Sequence, residues 1–171
     1  MTLALVLGGA RSGKSAHAER MVTESGLGPV YVATAEAGDA EMAERIAHHR
    51  ARRGGGWRTI EEPDDVEAVL AAEARPDRAI LVDCLTLWLS NIMHSGSDIE
   101  GRTQALCDTA RGLPGLVVCV SNEVGLGLVP ETPLGRRFRD AQGRLNQAVA
   151  AAADRVLFVA AGLPITLKGA P

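Results

Sequence analysis

A chain of 171 residues, 46% apolar and 23% charged, has the length and composition of a single globular domain running from residue 1 to 171. Its formal net charge of −3 argues against a nucleic-acid binder, because no surplus of cations is present to neutralise a row of phosphates. Cys84, Cys107 and Cys119 are odd in number and in no metal-ligand spacing, and no leader pattern or bilayer-length apolar run occurs. A soluble, cytoplasmic protein with reduced thiols is expected.

The first apolar run, Leu3–Leu7, predicts a strand that leads into Gly8-x-x-x-x-Gly13-Lys14-Ser15 and then a helix over Lys14–Glu24. A glycine loop between a strand and a helix turns its backbone N–H groups toward a phosphate, and the helix N-terminus adds partial positive charge. In such a loop Lys14 reaches the outer phosphates and the Ser15 hydroxyl is placed to ligate Mg²⁺.

A second strand is predicted at Val30–Ala33, followed by a helix over Ala40–Arg53 that contains "ERIAHHRARR". At about 100° per residue, Met42, Ile46 and His49 share one stripe, with Arg45 and Arg53 at its edges. His48 lies instead near Glu41 and Arg52. The wheel therefore turns His49 inward and His48 toward water. The charges alone also suit a well-formed helix, acidic at its start and basic at its end. An inward histidine beside arginines, in a protein that binds a polyphosphate, can attack phosphorus through a neutral ring nitrogen while the arginines stabilise the phosphoryl oxygens.

Further along, helices are predicted at Asp64–Ala74, Leu85–Met93, Ile99–Arg111 and Leu134–Ala153, and strands at Ala79–Val82, Leu116–Val120 and Val156–Ala160. "LPITLK" after Gly162 adds an edge strand. The strands show little alternation, as parallel strands buried on both faces do. The fold class is thus α/β, a mostly parallel sheet flanked by helices, of P-loop NTPase type (RecA-like). Asp83, ending the run "AILVD", is the carboxylate expected to accompany the metal, and it is also placed to cap the helix that begins at Leu85. Two segments read as loops, Met93–Gly101 as a plain connection and Ser121–Pro133 as a functional loop at a strand's C-terminal end. Gly143 inside the long helix signals either tight packing or ligand access. His17 and His94 read as structural or exposed.

With these pieces in view, the chain resembles the bifunctional adenosylcobinamide kinase / adenosylcobinamide-phosphate guanylyltransferase family of cobalamin biosynthesis. The resemblance rests on "GGARSGKS", "YVATAEAGDAEMAERIAHHRARR", "WRTIEEP", "VDCLTLWLSN", "SNEVGLGLVPETPLGRRFRDAQGRLNQAVAAAADRV" and "GLPITLK", in the family's order across nearly the whole chain. It implies phosphorylation of adenosylcobinamide by ATP or GTP, then transfer of GMP from GTP through a covalent histidine–GMP intermediate, with pyrophosphate released. The family's Arg-Ile-x-x-His pattern selects His49. The resemblance further implies nucleotide contacts from Gly8, Gly9, Ala10, Arg11, Ser12, Gly13, Lys14, Ser15, Thr34, Ala35, Glu36, Arg50, Ala51, Arg52, Arg53, Glu61 and Asp83. Mg²⁺ would be held by Ser15 and Asp83, and the assembly would be a homotrimer. Asn122, Glu123, Arg137 and Asn146 are candidates for the corrinoid. A monofunctional P-loop kinase and a nucleotide-binding switch remain as alternatives.

Overall fold

The computed structural model describes residues 2–35 and 54–170. The helix expected over Ala40–Arg53, with His48 and His49, lies outside the described residues, as do Glu36, Arg50, Ala51, Arg52 and Arg53.

Seven strands form one sheet in the order β3-β2-β4-β5-β1-β6-β7. They are β1 (Thr2–Gly8), β2 (Gly28–Ala33), β3 (Arg58–Glu61), β4 (Arg78–Asp83), β5 (Leu116–Asn122), β6 (Arg155–Ala160) and β7 (Leu163–Lys168). The first six run parallel and β7 returns antiparallel to β6. The described helices are α1 (Lys14–Glu24), α2 (Val66–Glu73), α3 (Leu85–His94), α4 (Ile99–Gly112) and α5 (Pro133–Ala152). Each predicted strand is present, including the edge strand β7. β3 was not foreseen: it has four residues, and Ile60 is the residue it packs against the core.

Side chains alternate across a strand, so β1, β2, β4, β5 and β6 each contribute to two cores, while β7 is exposed along its length. One face buries Leu3, Leu5 and Leu7 with Val30, Val32, Ile80, Val82, Val117 and Cys119, against α2, α3, α4 and α5. The other buries Ala4, Val6, Tyr31, Leu81, Val118, Val120, Leu157 and Val159, against Ala18 and Val22 of α1. Burial on both faces explains why the strands read as continuous apolar runs. Trp88 of α3 is fully buried and its indole N–H donates to Asp64 O at 2.7 Å.

The connection after α3 is short. Asp98 caps α4 by accepting from Gly101 N at 3.2 Å, in keeping with its reading as plain linkage. Space bears on Gly143: a Cβ built there meets no atom of the described residues within 4 Å, so close packing among these does not require the glycine. Gly143→Ala is expected to raise stability by about 0.5–1 kcal/mol, seen as a higher Tm with kinase activity unchanged. A loss of activity in this variant would instead point to ligand access at this position.

The three cysteines are unpaired and buried. Burial, with Asp83 beside it, pushes the Cys84 thiol up to about 11, and burial pushes Cys119 up to about 12. Their folded pKa values exceed the unfolded ones. The fold therefore favours the protonated thiols, and this stability is complete below the unfolded thiol range and is lost as pH rises through it toward 11. Native protein at pH 8 should resist thiol-directed alkylation until denatured; rapid labelling of all three in the native state would contradict this burial.

Candidate active site

β5 lies between β1 and β4, so the glycine loop at the end of β1 and Asp83 at the end of β4 flank the end of β5. Strand alternation decides which residues face this site. Gly8 continues the face of Ala4 and Val6, and Asp83 the face of Leu81. Glu61 lies on the opposite face from Ile60, which packs toward α2–α5. The expected ligand residues Gly8, Asp83 and Glu61 therefore come to the C-terminal edge of the sheet on the face that carries α1.

The loop itself is built by two glycines. At Gly8 a Cβ would lie 2.6 Å from Val159 O and would also run into the Ser12 hydroxyl. Gly13, the N-cap of α1, has φ +94°, a conformation that penalises any side chain. Lys14 Nζ donates to Gly9 O at 3.0 Å and so lies over the loop, and Ser15 occupies the first turn of α1. Among the described helices, α2, α4 and α5 have side-chain caps from Asp65, Asp98 and Thr132, whereas α1 and α3 have none. These two begin just after β1 and β4. At α3 the Cys84 thiol faces the backbone N–H groups of Thr86 and Leu87, whereas the first N–H groups of α1, directly after the glycine loop, have no side-chain cap, which suits an anion at that point. The N-cap of α3 is Cys84, so Asp83 stands one residue too early to cap it, and the capping reading falls away.

Thr34 is fully buried, and its hydroxyl donates to Cys84 O at 2.7 Å and accepts from Cys84 N at 2.8 Å. Its carbonyl accepts from Asn91 Nδ2 at 2.9 Å, and the same amide nitrogen donates to Pro63 O at 2.9 Å. The Thr34 hydroxyl thus holds the peptide after Asp83, and Asn91 ties the end of β2 to the segment after Glu61. This clasp was not foreseen; "WLSN" gave no sign of it beyond a polar residue ending an apolar helix run. Arg102 reinforces it, reaching Glu67 at 2.7 Å and Asp64 O at 2.6 Å.

At the end of β5, Asn122 N donates to Thr86 Oγ1 at 2.8 Å and Asn122 O accepts from Asn146 Nδ2 at 3.0 Å. Asn146 is buried, and its Oδ1 accepts from Ser121 Oγ at 2.7 Å and from Gln142 Nε2 at 3.0 Å. Its amide is committed to the strand end. Arg137 is exposed on α5. Glu123 N donates to Gly8 O at 3.1 Å, joining the Ser121–Pro133 loop to the glycine loop, and its Oε1 accepts from Gly125 N at 2.6 Å. This loop exposes Leu126, Leu128 and Val129, with Leu128 96% exposed. His17 and His94 stand as expected. The first is held by burial and by Arg20 and Arg155 below the usual imidazole range; the second is exposed with Nδ1 at 2.7 Å from Ser90 O.

Comparison with known proteins agrees with this geometry. Residues 4–167 match the model of the family described as cobinamide kinase / cobinamide phosphate guanyltransferase. The chain is 53% identical over 169 residues to the bifunctional adenosylcobalamin biosynthesis protein CobP of Pseudomonas aeruginosa, covering 98% of each. It is 40% identical over 179 residues to the corresponding protein CobU of Escherichia coli, covering 96% of this chain and 98% of that one. Among solved structures, the P4 protein of bacteriophage phi6 in complex with ADP aligns with a TM-score of 0.57 at 15% identity, over 98% of this chain and 55% of that one. The flagellar accessory protein FlaH of Methanocaldococcus jannaschii gives 0.54 at 14% identity, over 98% and 78%. At such identities these two likenesses speak to the fold alone, an α/β P-loop fold.

Proposed function

The chain belongs to the cobinamide kinase / cobinamide phosphate guanyltransferase family, and from that premise we propose that it is a bifunctional enzyme of adenosylcobalamin biosynthesis working at one nucleotide site. It phosphorylates adenosylcobinamide with ATP or GTP, then transfers GMP from GTP to the phosphate through a histidine–GMP intermediate. The observation that carries this reading is the convergence of Gly8, Lys14, Ser15, Asp83 and Glu61 on the face of α1, beside the N-terminus of α1, which has no side-chain cap.

The second step, guanylyl transfer, has an electrostatic difficulty that the first does not. A phosphate monoester repels an anionic triphosphate, so direct attack is slow. Attack by the neutral ring nitrogen of His49 on the α-phosphorus, with pyrophosphate leaving, avoids that repulsion; the cobinamide phosphate then displaces the imidazole. Arg50, Arg52 and Arg53, from the same stretch, are assigned to the departing pyrophosphate. In the sequence that stretch follows β2, whose last residue, Ala33, pairs with Asp83 in the register of β2 and β4. The backbone N–H groups of Gly9–Gly13 cradle the phosphates with Lys14 over them, and Glu36, Ala51 and Glu61 complete the nucleotide contacts. Thr34 contributes by fixing the Asp83–Cys84 peptide.

The donor set suits Mg²⁺, with a carboxylate from Asp83 and a hydroxyl from Ser15. No group of three or more His, Cys, Asp and Glu side chains is clustered for a metal among the described residues. Two protein oxygens, with phosphate oxygens and water filling the remaining positions, match the way Mg²⁺ is held beside nucleotides. When bound, the ion supplies charge neutralisation at the phosphates. The exposed apolar loop around Leu126–Val129, joined to Gly8 through Glu123, offers the acceptor's large ring an apolar surface near the outer phosphate. No described helix is long and apolar enough to cross a membrane, and we assign a cytoplasmic homotrimer that engages small molecules and no nucleic acid.

Positional labelling of GTP tests the reading. With adenosylcobinamide present, γ-label should appear in adenosylcobinamide phosphate and α-label first on the protein, then in adenosylcobinamide-GDP. Transfer of γ-label with no α-label on protein or product would leave only a kinase.

A further inference from the structure

We propose that Gly162, at the tip of the hairpin formed by β6 and β7, is a positioning residue of the nucleotide site: its backbone N–H holds the Ser12 carbonyl and so aims the Gly13 N–H at the bound phosphates. The inference rests on the reading above, in which the glycine loop holds the triphosphate, and adds to it a segment far from that loop in the sequence.

The tip is a two-residue turn. Ala160 pairs with Leu163, so Ala161 and Gly162 alone make the connection, and both lie in the left-handed region, at φ +51° and +79°. Two such residues give a hairpin loop the twist of its flanking strands. Gly162 meets that demand freely, whereas Ala161 holds it against its own preference. Backbone kept off its preferred region persists where its surroundings fix it. Here the surroundings include the glycine loop. Gly162 N donates to Ser12 O at 2.8 Å, and a Cβ built on Gly13 would lie 3.1 Å from Gly162 Cα.

Peptide geometry turns this contact into a functional one. In a trans peptide the C=O and the N–H point in opposite directions. With the Ser12 carbonyl held toward Gly162, the Gly13 N–H of the same peptide points away from the hairpin. Gly13 is exposed, and its N–H has no hydrogen-bond partner among the described residues, so it is available to a phosphate. Two further loop carbonyls are fixed as well, Gly8 O by Glu123 N at 3.1 Å and Gly9 O by Ser12 N at 3.3 Å. Without the bond from Gly162, the Ser12–Gly13 peptide is free to rotate and present its carbonyl where a donor is needed.

The rest of the hairpin fits this role. β7 is exposed at every position, so it adds little to the core. Lys168 ties its far end to α5, donating to Ala150 O and Ala151 O at 3.0 Å each, and Gly162 ties its near end to the phosphate loop.

The test separates triphosphate from acceptor. Gly162→Pro removes the N–H and cannot adopt φ +79°. Losing one donor to a charged group should raise the triphosphate KM of the kinase, and the half-saturating GTP in α-labelling, about 10- to 100-fold, with KM for adenosylcobinamide unchanged. Gly162→Val keeps the N–H but opposes the left-handed turn. A Cβ there meets no described atom within 4 Å, so this variant acts through the backbone and not by crowding. It should raise the same KM by a smaller factor, and it serves where the proline variant does not fold. Lys168→Ala loosens the hairpin at its far end and should lower Tm with the triphosphate KM unchanged. An unchanged triphosphate KM in the folded Gly162 variants would overturn the proposal, as would an equal rise in Lys168→Ala at the same loss of Tm. A parent protein with neither kinase activity nor α-labelling would refute the underlying reading instead.

Discussion

His49→Ala protein should take up no label from α-labelled GTP and should lose guanylyl transfer by at least about a thousandfold, since a covalent route has no substitute for its nucleophile. Its kinase activity, which we assign to the glycine loop and Asp83, should persist. His48→Ala, altered one position along the same predicted helix, should retain most of the labelling. On the helix predicted from the sequence, the stripe of Met42, Ile46 and His49 would turn the two rings to different sides, so that only His49 is expected to address the nucleotide. Quantifying acid-labile label in both variants, alongside phosphorylation of adenosylcobinamide, separates the two steps. Loss of labelling in the His48 variant with retention in the His49 variant would reverse the assignment.

Lys14→Ala should depress both activities, by about 10²- to 10³-fold, equivalent to about 2.7–4 kcal/mol of transition-state stabilisation. Lys14 lies over the loop with Nζ 3.0 Å from Gly9 O, so one charge serves whichever triphosphate is bound there. A joint loss is the signature of one nucleotide site used twice. Steady-state kinetics of phosphorylation and the rate of α-labelling would measure it. Unimpaired labelling in a kinase-dead Lys14→Ala protein would require a second nucleotide site.

The glycine loop was legible in the sequence because its signal is local: Gly8, Gly13, Lys14 and Ser15 are fixed relative to one another by the strand-to-helix turn that encloses them. Asp83 was legible as the polar end of an apolar run, whereas its reading as a helix cap needed the structure, which gives the N-cap position to Cys84. β3 escaped because a four-residue strand with one core-packing apolar residue has no measurable period. The division of β5 between two faces was also hidden. Apolar residues occupy both sides of a buried parallel strand, so nothing in "LVVCVSN" tells Ser121 from Asn122 until α1 and α5 are in place. Thr34 shows the converse limit: resemblance marks it as a nucleotide contact, whereas its hydroxyl bonds both sides of the Cys84 peptide. The Asn91 clasp joins residues 57 and 28 positions apart, a separation that no local pattern encodes.

Mass mapping of the protein after incubation with GTP and Mg²⁺, quenched at alkaline pH to preserve a phosphoramidate, tests the central claim most directly. The account predicts a single GMP adduct on the peptide containing His49, removed when adenosylcobinamide phosphate is added and recovered as adenosylcobinamide-GDP. An adduct on another residue, or guanylyl transfer at full rate with no adduct on the protein, would contradict it.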